Sequence, residues 1–148
     1  MVGQVKRGFT LIELAVTLFV LALAVAVTAP SIGRGVDAVR TRAEVAGIAT
    51  FLRAARDHAV TRNRAYQVRI RTDEGLVELR GGDTAPTTRR LAPGLLVTAD
   101  PPTARVITFL PQGQSSGGRL RVEMPGRRAY LITVDALTGR VATRLLDL

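Results

Sequence analysis

Apolar residues crowd the start of this chain and then thin into a regular spacing. Between Phe9 and Ala29 only Thr10, Glu13, Thr17 and Thr28 are polar. A helix of that length rises about 31 Å, which matches the roughly 30 Å of a bilayer core. The pattern therefore predicts a transmembrane stem over 9–29. Threonines are tolerated there, because their hydroxyls can return to the preceding turn. Pro30 lacks a backbone donor and disfavours helix in the residue before it, so a kink near Ala29 is expected. Helical spacing then resumes at Val36, Val39, Ala43, Ala46, Ala49, Leu52 and Ala59, with one gap at Ala55–Arg56. Arg40, Arg42, Glu44, Arg53 and Asp57 fall mostly on other faces. The reading is one helix from Phe9 to about Thr61, with an amphipathic half over 30–62.

After Asn63 the period drops to two. Tyr66–Ile70 alternates, and Leu76–Leu79 does so more weakly. Leu95–Thr98, Val106–Leu110, Leu120–Met124, Tyr130–Val134 and Val141–Leu145 are further short β-prone runs. Asp73-Glu74-Gly75, Pro93-Gly94, Pro101-Pro102, Pro125-Gly126 and Thr138-Gly139 punctuate them. Seven strands packed on one helix give an α+β domain over 63–148, built on one antiparallel sheet or two small ones. Gly81–Arg90, with Pro86 and three threonines, reads as a flexible loop between strands.

Charge and composition narrow the chemistry. The net charge is +9, and Lys6 is the only lysine beside 20 arginines. Such a balance suits nucleic acid, anionic lipid or an acidic protein surface, although the arginines are scattered along the sequence. There is no cysteine and only one histidine, His58. Disulfides and thiolate metal sites are excluded, and histidine chemistry is poorly supplied. His58, near the helix end, reads as a surface or packing residue. Gln112–Gly118 is glycine-rich but lacks the Gly-Lys-Ser/Thr ending of a phosphate loop. Asp73, Glu74 and Asp83 do not fit a calcium-loop spacing. No paired carboxylates or nucleophile–base set stands out, so neither an enzyme nor a bound cofactor is expected.

Glu13 is the anomaly, since a carboxylate in a membrane-length segment is expensive. It sits in Lys6-Arg7-Gly8-Phe9-Thr10-Leu11-Ile12-Glu13. An ordinary secretory signal cut after Ala24-Val25-Ala26 would not keep Glu13 in so long an apolar run, and neither would a plain anchor. The stretch resembles the type III signal of type IV pilins and type II secretion pseudopilins. That resemblance implies a leader over 1–8, cleavage by a prepilin peptidase between Gly8 and Phe9, and N-methylation of Phe9. It also gives Glu13 a purpose. In a fibre, the Glu13 of one subunit neutralises the new amino terminus of a neighbour, so that neither charge is left alone in an apolar setting.

A second set of motifs is more specific. Phe109-Leu110-Pro111-Gln112-Gly113 is followed by Gly117-Gly118, by Val134-Asp135 at a strand end, and by Thr138-Gly139-Arg140-Val141. This order is similar to the C-terminal domain of the minor pseudopilin H family, the GspH/FimT type. The resemblance implies a pilin-like fold and a minor pseudopilin of a type II secretion system, at or near the tip of a periplasmic fibre. It implies a single-pass inner-membrane protein with a periplasmic C-terminal domain. Its partners would be other minor pseudopilins, the major pseudopilin, the inner-membrane assembly platform and the prepilin peptidase. The alternative within that resemblance is a FimT-like minor pilin that binds DNA for uptake. DNA-binding relatives carry Gly-Arg-x-Arg near the C-terminus. Here Gly139-Arg140-Val141-Ala142 lacks the second arginine, and Arg144 stands two residues further on.

Overall fold

A 51-residue helix, α1 (Leu11–Thr61), precedes eight short strands. The structure, a computed structural model, describes residues 9–82, 85–125 and 128–146, without the side chains of 27–37. The leader 1–8, and Gly8 with it, lies outside the described residues, as do Asp83, Gly126 and the side chain of Val36. The chain divides into two units, Met1–Ala38 and Val39–Leu148.

In the first unit the side chains described over 11–26 are apolar except Glu13 and Thr17, and they stand exposed on every side of the helix. Leu11, Ile12, Leu14, Leu18, Phe19, Leu21 and Val25 are all exposed. Among the described residues no helix is long and apolar enough to cross a membrane. The run with described side chains ends at Ala26, short of the roughly 20 residues a span needs.

In the second unit α1 meets two four-stranded antiparallel sheets. The first comprises β1 (Tyr66–Arg71), β2 (Leu76–Gly81), β3 (Thr87–Arg90) and β5 (Val106–Phe109), in the order β3-β2-β1-β5. The second comprises β4 (Leu96–Asp100), β6 (Gly118–Glu123), β7 (Tyr130–Val134) and β8 (Val141–Leu145), in the order β4-β6-β7-β8. A single 3₁₀ turn, Pro102–Arg105, links β4 to β5. Alternation works as the sequence suggests. Val68, Ile70, Val77, Leu79, Ile107 and Phe109 from the first sheet, and Val97, Leu120, Val122, Ile132 and Val134 from the second, share one core with the helix.

The helix face is the expected one at Ala49, Leu52 and Ala59 and departs from it at Val39, Ala43 and Ala46. The buried stripe is Thr41, Val45, Ile48, Leu52, Ala55 and Ala59, with Ala49 beside it. Val39 is 69% exposed, and Ala43 and Ala46 are exposed as well. Alanine and valine occupy both sides of this helix, so two stripes three and four residues apart coexist in the sequence. Ile48 and Leu52, the larger residues, select the one that packs. Ala55, read as a gap, is completely buried.

The helix stops at Asn63, whose φ of +48° is left-handed. The Arg64 N–H donates to the Ala59 carbonyl at 3.2 Å and the Asn63 N–H to that of Val60 at 3.4 Å. This pair of bonds is the Schellman closure, with asparagine in the position glycine usually takes. It turns the chain straight into β1.

The flexible loop expected over Gly81–Arg90 is corrected in part. Thr87–Arg90 is strand β3, paired with β2 from Leu76↔Arg90 to Leu79↔Thr87. It has no apolar residue, so alternation could not reveal it. It is held instead by its ladder and by Arg89, which lies across Gly47 of the helix and reaches Glu44 at 3.3 Å. A Cβ at Gly47 would collide with the Arg89 guanidinium. An inward charge on a short edge strand also discourages unwanted pairing.

These packing assignments are testable by chemical denaturation of the full chain in detergent. Leu52→Ala is expected to cost about 2–5 kcal/mol. Val39→Ala, on the stripe that the sequence favoured, is expected to stay within about 0.5 kcal/mol.

Candidate functional site

The first candidate cluster lies at the start of α1. Thr10 is its N-cap: the Thr10 hydroxyl accepts the Glu13 N–H at 3.3 Å. Thr10-Leu11-Ile12-Glu13 has the spacing of a capping box, with Glu13 at the third helical position, where a carboxylate also meets the positive end of the helix dipole. The Thr17 hydroxyl donates back to the Glu13 carbonyl at 2.6 Å and to that of Leu14 at 2.9 Å. Phe9 is exposed and precedes the helix. Sequence reading had assigned Glu13 to a partner in another subunit, and the cap gives it a local position as well.

The second cluster gathers the C-terminal motifs. β7 and β8 are joined by the hairpin Asp135–Arg140, built around one carboxylate oxygen. Asp135 Oδ1 accepts the Leu137 N–H at 3.1 Å, the Thr138 N–H at 2.8 Å and the Thr138 hydroxyl at 2.8 Å. The Thr138 bonds, backbone first, hold the Asp135 carboxyl below its ordinary value, and the Leu137 N–H and the Arg140 charge add to this against a small desolvation. The loop after β5 docks on the hairpin. Ser115 donates to the Asp135 carbonyl at 2.9 Å, and its own N–H reaches the Ala136 carbonyl at 2.9 Å. Gly139, with φ of +62°, sits so close to the Gly113 carbonyl that a Cβ would overlap it.

Two helix arginines complete the junction. Arg56 Nε donates to the Thr138 carbonyl at 3.0 Å, and Arg53 Nη2 donates to the Val141 carbonyl at 3.2 Å. Arg53, Arg56, Asp57 and Gly139–Val141 line a cavity of about 290 Å³. Thus the Phe109-to-Gly113 and Thr138-to-Val141 motifs, 25 or more residues apart in sequence, meet at one end of the domain. Arg140 and Arg144 are not brought together. Arg140 lines the cavity. Arg144 lies opposite Leu131 in the ladder, on the exposed face of the second sheet. The sequence places Arg53 off the apolar face and Arg56 in the gap of the apolar spacing; their spacing of three, and that of eleven between Arg42 and Arg53, is the available signal.

His58 is half-buried near the helix end, its ring 5.7 Å from that of Tyr66. Among the described residues no group of three or more acidic, histidine or cysteine side chains could hold a metal.

The sequence profile described as type II transport protein GspH matches residues 44–138. The chain belongs to the GspH family. Residues 4–29 also match the prokaryotic N-terminal methylation motif. No curated protein gives a significant sequence match. Solved structures with this fold include the type IV minor pilin FimU of Pseudomonas aeruginosa PAO1, at 15% identity and a TM-score of 0.62, covering 73% of this chain and 90% of that one. They also include the minor pseudopilin EpsH of the type 2 secretion system of Vibrio cholerae, at 15% identity and a TM-score of 0.54, covering 72% and 95%. The GspH-family fold is pilin-like, as the motif order implied, and the family is one of structural subunits rather than enzymes. The profile ends at Thr138, inside the hairpin, so β8 lies beyond the matched residues.

The hairpin carboxylate sets an acid limb. Because the folded-state pKa of Asp135 is depressed, its contribution is present above the ordinary value of about 3.8 and is lost as pH falls through the folded-state value. Unfolding of the full chain as a function of pH is expected to show a loss of stability below about pH 4 that Asp135→Asn reduces. Gly139→Ala is expected to destabilise at every pH, by about 1–3 kcal/mol for the left-handed backbone alone.

Proposed function

We propose that this pilin-like structural subunit is a minor pseudopilin of a type II secretion system, at or near the tip of a periplasmic fibre. The observation that carries the reading is the joint match of the GspH profile over 44–138 and the methylation motif over 4–29. Residues 9–29 form the inner-membrane anchor, and 63–148 the periplasmic sheet domain. The all-round apolar exposure of α1 in the first unit supports this, because such a surface needs lipid or other helices to cover it. A prepilin peptidase cuts between Gly8 and Phe9, Phe9 is methylated, and Glu13 pairs with the amino terminus of a neighbouring subunit. Its partners are other minor pseudopilins, the major pseudopilin and the inner-membrane assembly platform.

A second reading, DNA capture by a minor pilin, draws on the net charge of +9 and on Arg53, Arg56 and Arg140 around one cavity. Two of those arginines are already engaged with main-chain carbonyls of the hairpin and β8. Asp57 lines the same cavity and offsets part of the charge. The secretion reading is therefore preferred.

Mass spectrometry of membrane-extracted protein is expected to find a mature chain beginning at methylated Phe9; a start at Val27 would overturn the reading. Glu13→Ala is expected to leave membrane insertion intact and to reduce incorporation into fibres. DNA binding at physiological salt is expected to be weak and steeply salt-dependent. Tight binding there, lost in a triple Arg53→Ala, Arg56→Ala, Arg140→Ala variant, would favour DNA capture instead.

A further inference from the structure

Strand β8 closes the second sheet with an open side. The Asp135 N–H donates to the Arg140 carbonyl at 3.0 Å and the Leu146 N–H to the Ala129 carbonyl at 2.8 Å. In an antiparallel ladder such bonds recur at every second residue. With the observed register, Ala142 and Arg144 turn their main-chain groups toward β7. Val141, Thr143 and Leu145 turn theirs away. One of these outward groups, the Val141 carbonyl, is held by Arg53. Among the described residues no strand lies on this side of β8, and the strand is exposed from Ala142 to Arg144.

A groove of about 480 Å³ runs beside that strand. Val45, Ala46 and Ala49 of the helix and Leu145 of β8 give it an apolar lining, and among the described residues Arg42 and Arg53 supply the charges along it. The two edges of the first sheet are defended. On β3 Arg89 turns inward to Glu44. Along β5 the following loop is tied down, with the Ser116 N–H on the Thr108 carbonyl and the Thr108 N–H on the Ser116 hydroxyl. β4 runs into Pro101 and the 3₁₀ turn.

We propose that the open edge of β8 is a docking site for an extended acidic segment of a partner protein, which adds to the second sheet as a further strand. The outward amides and carbonyls of Thr143 and Leu145 supply the main-chain pairing. The apolar lining accepts alternate side chains of the incoming strand, and Arg42 faces its carboxylates, with the positive charge of Arg53, held on the Val141 carbonyl, beside it. A nucleic-acid strand would use the arginines but has no main-chain amides to match the edge. The inference deepens the assembly reading, and rests on it for the partner being another fibre subunit.

The test uses the full chain in detergent micelles and a fluorescein-labelled peptide, Glu-Val-Thr-Val-Glu-Val-Thr-Val-Glu, beside a counterpart with lysine at each glutamate. The acidic peptide is expected to bind at least about tenfold more tightly than the lysine peptide. Thr143→Pro removes an N–H that points away from β7, a place where an edge strand tolerates proline. It is expected to weaken binding by about tenfold or more while the far-ultraviolet circular dichroism stays unchanged. Hydrogen exchange on the unaltered chain gives a readout that does not depend on the variant folding: bound peptide should slow the Thr143 and Leu145 amides. Absence of binding, equal affinity for the two peptides, or binding without protection of those amides would overturn the proposal. So would competition by a DNA oligonucleotide that leaves the amides unprotected. Fibre incorporation of the unaltered chain is read separately, so the docking edge and the assembly reading can fail independently.

Discussion

Everything in the sheet domain depends on burying one stripe of α1. Val45, Ile48, Leu52, Ala55 and Ala59 contribute to a core that also takes residues from both sheets. No ladder joins the two sheets, which are separate four-stranded units. What unites them is shared apolar surface, and the helix supplies the part that both sheets use. Removing a large side chain from this stripe weakens two sheets at once, whereas a loss on the outer helix face weakens neither.

The sequence revealed the parts of the fold that alternate. Tyr66–Ile70, Val106–Leu110 and Tyr130–Val134 each gave a strand, because apolar residues at a spacing of two have few other uses. It revealed the helix end as well, where Asn63 takes the left-handed position. It failed where composition was degenerate. With alanine and valine on several faces of α1, a period of 3.6 could be drawn through Val39, Ala43 and Ala46 as easily as through Thr41, Val45 and Ile48. β3 was invisible for a different reason: Thr87-Thr88-Arg89-Arg90 forms a strand through partners distant in sequence, chiefly β2 and Glu44. The motif residues from Phe109 to Gly113 and from Thr138 to Val141 were legible one by one, but their meeting was not. That contact runs through Ser115 and through Gly113 against Gly139, braced by Arg56, whose main-chain partners no spacing rule identifies.

The arginines illustrate how little a net charge says alone. Arg119 pairs with Asp100 at 2.9 Å and Arg121 with Glu123 at 2.8 Å on the exposed face of the second sheet. Arg89 braces β3, and Arg53 and Arg56 serve main-chain carbonyls. Much of the excess charge is thus spent on holding elements together at modest cost per pair. The function of the remainder depends on where it stands, which is why Arg42 beside an open strand carries more meaning than the pI.

Under the cleavage proposed between Gly8 and Phe9, the cap at Thr10 has a consequence for processing. A helix that began earlier would wind the Gly8–Phe9 bond into its first turn, where a peptidase could not grip the backbone. The Thr10 hydroxyl takes the Glu13 N–H and starts the helix at Leu11. Phe9 and Thr10 stay outside the coil. The same four residues thereby act as a boundary marker. On one side the helix runs on to Thr61, and on the other Phe9 keeps its backbone out of the first turn with its side chain exposed.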